Sequence, residues 1–220
     1  MSDHQCYLLG EHAIAFVLET SNPSSNEQRR LFALTSTLMN LGAFFDVVPA
    51  KSSITVYLKT PQDHPIWIKR ITTLWHECEM ASFKPTTHRF TVKYGGDYGP
   101  DLSSLANTLS LPEKDLIELH ASVTYQVEFL GFLPGFGYLG TLPNALQVPR
   151  KKTPRTRVPK GSVAIAQELT AIYPSSSPGG WHLLGICDTP LFNPSLQQPS
   201  LLMPGDHVQF IPSKGGLCSQ

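Results

Sequence analysis

Apolar positions along the first ninety residues follow two rhythms. His12 to Glu19 (HAIAFVLE) reads as a strand and leads into a loop rich in Ser, Asn and Pro. Ser25 and Gln28 have capping-box spacing at the head of a helix whose apolar face is Leu31, Phe32, Leu34, Leu38, Met39 and Leu41, with Gly42 placed to end it. Two strands are expected at Ala43–Val48 and Ser53–Lys59, and Pro65 can start a second helix that buries Ile68, Ile71, Leu74 and Trp75. A last strand is expected at Arg89–Tyr94. The order strand-helix-strand-strand-helix-strand predicts a ferredoxin-like α+β domain over residues 1–94.

Tyr94-Gly-Gly-Asp-Tyr-Gly-Pro-Asp101 then reads as a glycine-rich hinge. Two short helices should follow. Leu102, Leu105 and Leu109 line the first; Ser110 and Glu113 are placed to cap the second, which buries Leu116, Ile117 and Leu119. From Ser122 onward the texture changes to short runs punctuated by Pro and Gly, clearest in VTYQVEFLG, GSVAIA, TAIY, WHLLGI and HVQFIP. Many short strands with such turns predict a closed barrel or sandwich over residues 95–220.

Composition narrows the classes of function. Lys+Arg and Asp+Glu balance at 17 each, against broad electrostatic capture of nucleic acid or membrane. The helix pair after Leu102 imitates a helix-turn-helix core, but its second helix is net acidic and would repel phosphates. No apolar run reaches the roughly 18 residues of a membrane span, and the first residues lack the basic and apolar regions of a signal peptide. Cys6, Cys78, Cys187 and Cys218 lack metal-site spacing, and the histidines do not cluster, so no metal is expected. A cytoplasmic protein with reduced thiols is the simplest expectation.

Three stretches can carry chemistry. Gly131-Phe-Leu-Pro-Gly-Phe-Gly-Tyr-Leu-Gly140 sets Phe132, Phe136 and Tyr138 among glycines and Pro134; Gly135 allows tight backbone, and the rings either plug one end of the barrel or wall a ligand. Arg150 to Lys160 (RKKTPRTRVPK) holds six of the 17 basic residues in eleven positions, with no acid. Its prolines keep it extended, so Arg155 and Arg157 share a face suited to a carboxylate or phosphate, unless the segment is only a solvated basic loop. Tyr173 to Trp181 contains Pro178-Gly179-Gly180, either a plain hairpin turn or an anion nest of backbone N–H groups. Phe132, Phe136, Tyr138, Arg155 and Arg157 are expected to line one cavity at an end of the barrel. The surface joining Phe132–Leu139 to Arg150–Lys160 is the expected partner interface, with Arg155 free to be reversed in charge without harm to the fold. His120, ending a helix before the aromatic loop, is either a helix cap or a group for proton transfer. No G-x-S-x-G or phosphate-binding loop is present.

Taken together, YGGDYGPDL, LGFLPGFGYLG, PRKKTPRTRVPKGSVAIA, IYPSSSPGGW and LMPGDHVQF resemble the family of the B-type subunit of 5-oxoprolinase, which includes the kinase inhibitor KipI and is also labelled allophanate hydrolase subunit 1. The resemblance implies an N-terminal α+β domain and a C-terminal cyclophilin-like β-barrel. It implies a component of an ATP-dependent lactam hydrolase that opens 5-oxo-L-proline to L-glutamate. There the chain pairs directly with a C-type subunit homologue, and an A-type subunit homologue completes the enzyme. The chain alone would bind no cofactor; ATP is used by the complex. Substrate-binding positions would be Phe132, Pro134, Gly135, Phe136, Tyr138, Arg150, Arg155, Arg157, Gly179, Gly180 and Trp181, with His120 as the catalytic candidate, and the ligand a small carboxylate or lactam. A second reading, of another class, is a regulatory inhibitor that binds a sensor histidine kinase. The chain departs from the family pattern at Leu169, where an amide is usual, at Ala171, where glycine is, at Gly137, and at Gly185-Ile186-Cys187-Asp188, where Gly-Arg-Thr-Pro is usual.

Overall fold

A computed structural model describes residues 4–21, 23–78 and 84–213. The chain divides into two compact units, Met1–Pro85 and Thr86–Gln220.

The first unit is a four-stranded antiparallel sheet with two helices. Its elements are β1 (His4–Leu9), β2 (Ala13–Leu18), α1 (Ser25–Asn40), β3 (Phe44–Pro49), β4 (Ser53–Leu58) and α2 (His64–Glu77), and the strand order is β1-β2-β4-β3. Ile14, Phe16, Ile54 and Val56 on the sheet meet Leu31, Leu34 and Leu38 of α1 and Ile71 and Trp75 of α2 in one buried core. The capping box lies one residue earlier than its spacing suggests. Ser24 Oγ accepts the Glu27 N–H, and the Glu27 carboxylate accepts the Ser24 N–H at 2.8 Å. Gly42, at φ +61°, follows the end of α1 in the left-handed region that favours glycine.

The sheet order is that of the ferredoxin-like unit, but its outer strand comes from elsewhere. That place is taken by β1, which forms a hairpin with β2 ahead of α1. The strand expected to close this domain is instead β5 (Thr87–Tyr94), and it belongs to the barrel. A hairpin across Gly10–His12 closes a far shorter loop than a strand at residue 87 would, so filling the edge locally costs less chain entropy. The division therefore falls after Pro85 rather than after Tyr94.

The second unit is a closed seven-stranded barrel. After β5 come α3 (Leu102–Leu109), α4 (Glu113–Ala121), β6 (Thr124–Leu130), β7 (Gly137–Gly140), β8 (Arg155–Val158), β9 (Ser162–Ala166), β10 (Leu169–Ile172), β11 (Ser177–Gly179), β12 (His182–Ile186) and β13 (His207–Pro212). The strands close in the order β10-β7-β6-β13-β5-β12-β9, and β8 and β11 form a separate two-stranded ribbon. Only β5 and β13 run parallel; the other barrel pairs are antiparallel.

Two expectations about turns change. Tyr94–Asp101 is no hinge between domains: Tyr94 is buried in the barrel, and the Gly95 N–H donates to Leu184 O of β12 at 3.0 Å. A Cβ at Gly99 would lie 1.9 Å from Leu184 O, so glycine is required there by close packing. Ser110 does not cap α4. It ends α3 in a left-handed conformation, and Pro112 precedes α4. No helix among the described residues is long and apolar enough to cross a membrane.

Candidate functional site

Alternation along the barrel strands separates two apolar layers. Val163 and Ile165 of β9, Ile172 of β10, Leu139 of β7 and Leu184 of β12 point into the barrel, where α3 and α4 add Leu102, Leu105 and Leu116. The alternate residues Ala164, Ala166, Ala171, Tyr173 and Leu183 point outward and meet Phe136, Trp181 and Val158 of the ribbon in a second buried cluster. The aromatic loop therefore serves the outer face of the barrel, not one of its ends. Its rings form a continuous edge-to-face set: Phe136 lies 4.9 Å from Tyr138, 5.2 Å from Tyr173 and 5.9 Å from Trp181, between ring centroids.

The loop is a strained turn. Phe132 sits at φ +65° and Gly135 at φ +80°. A Cβ on Gly135 would approach Leu191 O at 2.9 Å. The turn is closed by Leu133 N–H to Gly131 O and by Phe136 N–H to Leu133 O. It drives Phe136 into the cluster and leaves Phe132 58% exposed, its ring perpendicular to those of Phe136 and Tyr173. Pro134 is exposed at the tip.

The basic segment runs beside this cluster, pinned to the glycine turn. The Lys151 N–H donates to Gly180 O at 2.8 Å, and His182 Nε2 lies 3.0 Å from Pro149 O. Gly179 is held to glycine by packing, since a Cβ there would lie 2.5 Å from the Tyr173 hydroxyl. Burial raises the Tyr138 phenol above its ordinary value and pushes Tyr173 up to about 12, while the nearby Arg150 guanidinium opposes the shift in both. Arg150 is thus the basic group that acts on the aromatic cluster. It also lines, with Lys151, Lys152, His182 and Ser104, a cleft of about 250 Å³ against α3.

Arg155 and Arg157 do not form the expected shared grip. A buried acid captures Arg155: Asp101 Oδ1 accepts from Arg155 Nη2 and from Lys151 Nζ, each at 2.7 Å, while Oδ2 accepts the Leu183 N–H at 2.8 Å. Burial alone would raise the Asp101 carboxyl, but the hydrogen bonds from Arg155, Lys151 and Leu183 outweigh it and hold the group below its ordinary range. Arg157 stays exposed, with a long contact of 3.4 Å from Nε to Ser176 Oγ. Arg155 is a clamp between the basic segment, α3 and β12, not a free surface cation. Asp101 received no role from the sequence. The available signal was the pair of acids in YGGDYGPD, Asp97 and Asp101, set against a segment of six bases without any acid of its own.

His120 also lies elsewhere. It is fully buried in the inner core, stacked on Phe210 at 4.7 Å, and not in the outer aromatic cluster. The Thr170 hydroxyl donates to Ala164 O at 3.1 Å, so its oxygen accepts the His120 Nε2–H at 2.9 Å. Nδ1 is then the acceptor for the Tyr94 hydroxyl at 2.8 Å. Burial lowers the imidazole to about 3, so it is neutral at physiological pH. Its position makes it a junction of α4, β5 and β10: its ring bonds Tyr94 and Thr170 rather than the end of α4, and it lies apart from the aromatic loop beside which proton transfer was considered.

The arrangement defines a class: a two-unit α+β protein whose barrel carries an aromatic layer and a basic segment on its outer face. The family model of the carboxyltransferase domain, subdomain C and D, matches residues 4–202. The chain is 41% identical to the B-type subunit of 5-oxoprolinase from Escherichia coli O157:H7 over 99% of this chain and all of that one. It is 39% identical to the protein of the same name from Haemophilus influenzae, over 90% of this chain and 93% of that one. It also superposes on the crystal structure of TTHA0988 with a TM-score of 0.78 and 33% identity, covering 92% of this chain and 40% of that longer one. This chain belongs to the family of 5-oxoprolinase B-type subunits.

Proposed function

We propose that this chain is the B-type subunit of an ATP-dependent 5-oxoprolinase, a cytoplasmic lactam hydrolase that opens 5-oxo-L-proline to L-glutamate. It works only with a directly bound C-type partner and an A-type partner. The observation that carries the reading is the end-to-end match, at 41% identity, to a protein named as the B-type member of that enzyme. The name itself speaks for further subunits. The sequence supports division of labour, since it has no phosphate-binding loop; ATP is consumed by the complex, and this chain binds none alone.

Within the complex, the outer face of the barrel would receive the small carboxylate or lactam. Arg150 is the carboxylate partner, because Arg155 is already engaged by Asp101. Phe132, Pro134, Tyr138 and Trp181 supply the wall, and Gly135, Gly179 and Gly180 let backbone approach it. The test is co-purification with C- and A-type subunits followed by an ATP-dependent glutamate-release assay. Activity of the full complex and none of the single chain is expected. Turnover by the chain alone would overturn the division of labour, and an inactive complete complex would overturn the substrate.

A further inference from the structure

Three consecutive cations, Arg150, Lys151 and Lys152, line the cleft of about 250 Å³ against α3. Adjacent like charges repel, and a solvated loop relieves that repulsion by spreading. This segment is instead held at four points. Val148 bridges to Gln167 in the turn after β9, and Pro149 O lies 3.0 Å from His182 Nε2. The Lys151 N–H donates to Gly180 O, and Lys151 Nζ is bonded to Asp101. No Asp or Glu is among the described residues that line the cleft, and Asp101 is engaged by Lys151, Arg155 and the Leu183 N–H. Positive charge is therefore concentrated in a fixed frame, which lowers the ordering cost of receiving an anion. The hydroxyl groups on the opposite wall are already used within α3: Ser104 donates to Asp101 O at 3.0 Å and Thr108 to Ser104 O at 2.8 Å. The grip on an anion falls to Arg150, Lys152 and the Lys151 N–H groups not turned to Asp101. Beneath them the lining is apolar, with the buried Leu105 and Val148 beside Pro149.

We propose that this cleft binds a small organic phosphate, with the phosphoryl group among the three cations and the carbon part on Leu105, Val148 and Pro149. A carboxylate offers two oxygens and one charge, fewer than three convergent cations can hold. A phosphomonoester offers three oxygens and close to two charges at neutral pH. The Arg150 fork matches two of those oxygens, and the lysines act as point charges. The apolar floor favours an ester over inorganic phosphate, which has no carbon to lay on it. Size limits the organic part, since the cleft is smaller than the roughly 300–1,000 Å³ of sites that enclose drug-sized ligands. A nucleotide is too large. Of the residues assigned to the aromatic face, Arg150 alone lines the cleft, so a ligand here is independent of the lactam reading.

The test is isothermal titration calorimetry of the full chain with phenyl phosphate, inorganic phosphate and benzoate. Phenyl phosphate should bind at one site. It should bind more tightly than benzoate, which has the ring but one charge, and than inorganic phosphate, which lacks the ring. Lys152→Gln removes a cation from one wall and should weaken binding about fivefold. Thr108→Glu brings a carboxylate to the other wall and should weaken it about tenfold or more. Lys160→Gln, in the same basic segment but outside the cleft, should leave it unchanged. All three positions are exposed, so the melting temperatures should match that of the parent chain. Absence of saturable binding overturns the proposal, as does binding that Lys152→Gln and Thr108→Glu leave unchanged. Benzoate binding as tightly would make this a carboxylate site, and inorganic phosphate binding as tightly would make it a site for the free anion. Either result also overturns the organic phosphate.

Discussion

Replacement of His120 by Phe separates the electrostatic cost of the buried imidazole from its hydrogen bonds. In the folded barrel the ring stays neutral down to about 3, whereas in the unfolded chain it titrates at its ordinary value of 6.5. Between these two values the unfolded state binds a proton that the native state refuses. Stability is therefore intact above 6.5 and declines as the pH falls below it. From pH 7 to pH 5 the loss assigned to this one group is about 2 kcal/mol. At pH 7 the substitution keeps a ring against Phe210 but leaves the buried Tyr94 hydroxyl without its acceptor, which costs about 1–3 kcal/mol. Thr170 retains a partner, because its hydroxyl already donates to Ala164 O.

These two effects have opposite consequences as the pH falls. His120→Phe should be the less stable protein at pH 7 and should close most of that gap by pH 5, since the variant has no imidazole to protonate. Urea unfolding at both pH values measures the difference. Hydrogen exchange of β5 and β10 followed by mass spectrometry provides a readout confined to the barrel, apart from the first unit with its own Trp67 and Trp75. The wild-type minus variant difference removes the other histidines from the comparison. A gap that is the same at pH 5 and pH 7 would falsify the neutral, network-bound assignment of His120. Addition of Tyr94→Phe should restore part of the pH 7 stability of His120→Phe, because the orphaned hydroxyl is then gone.

Asp101→Ala should lower barrel stability by about 2–3 kcal/mol, less than for a fully buried pair because Lys151 and Arg155 reach solvent. Acid should mimic it: with the folded carboxyl held below its ordinary range, this contribution persists above about pH 4 and vanishes as the pH falls through the native value, a lower window than that of His120. Arg155→Glu, harmless if Arg155 were a free surface cation, should depress the melting temperature by setting a carboxylate against Asp101, and Arg157→Glu should not. Phe136→Ala should cost about 3–5 kcal/mol by emptying the outer cluster, while Phe132→Ala should change stability by under about 1 kcal/mol; thermal melts decide between them. Gly179→Ala should destabilise through its approach to the Tyr173 hydroxyl, and Tyr173→Phe should rescue much of that loss in a double-mutant cycle.

The positions of most elements were legible in the sequence. Both helices of the first unit and the strands β6, β9, β12 and β13 lie where the apolar runs place them. The edge strand β1 was missed because HQCYLL alternates poorly, its Leu8 and Leu9 both being exposed. The outer aromatic layer was hidden for a different reason. All five residues of β9, Ser162–Ala166, are buried, with Val163 and Ile165 turned inward and Ala164 and Ala166 outward. A strand covered on both faces loses the polar alternation that assigns its faces. From sequence it says only that something apolar lies on each side. Nothing local announced that the partner of β9 on the outside was the aromatic loop far upstream in the chain, sealed by Val158 of the ribbon.

The same two-sided burial bears on the departures from the family pattern. Ala171 is buried in the outer cluster and Leu169 packs against it, whereas Ile186 lies at the far end of β12, opposite Ser162 and Lys93. A side-chain amide in place of Leu169 would bring hydrogen-bonding capacity to this layer; Leu169 brings only apolar surface. Should the outer face of the barrel receive the carboxylate proposed above, its polar selection would fall to backbone groups of the glycine turns and to Arg150. Arg155 is poorly placed for the role, since freeing it would remove one of the two charged hydrogen bonds that hold the buried Asp101 carboxylate. Arg150→Gln should therefore abolish carboxylate-dependent turnover in the assembled enzyme while leaving the Asp101 clamp, and the melting temperature, unchanged. A variant that keeps full activity would move substrate contact to another polypeptide of the complex and leave the aromatic layer a structural seam.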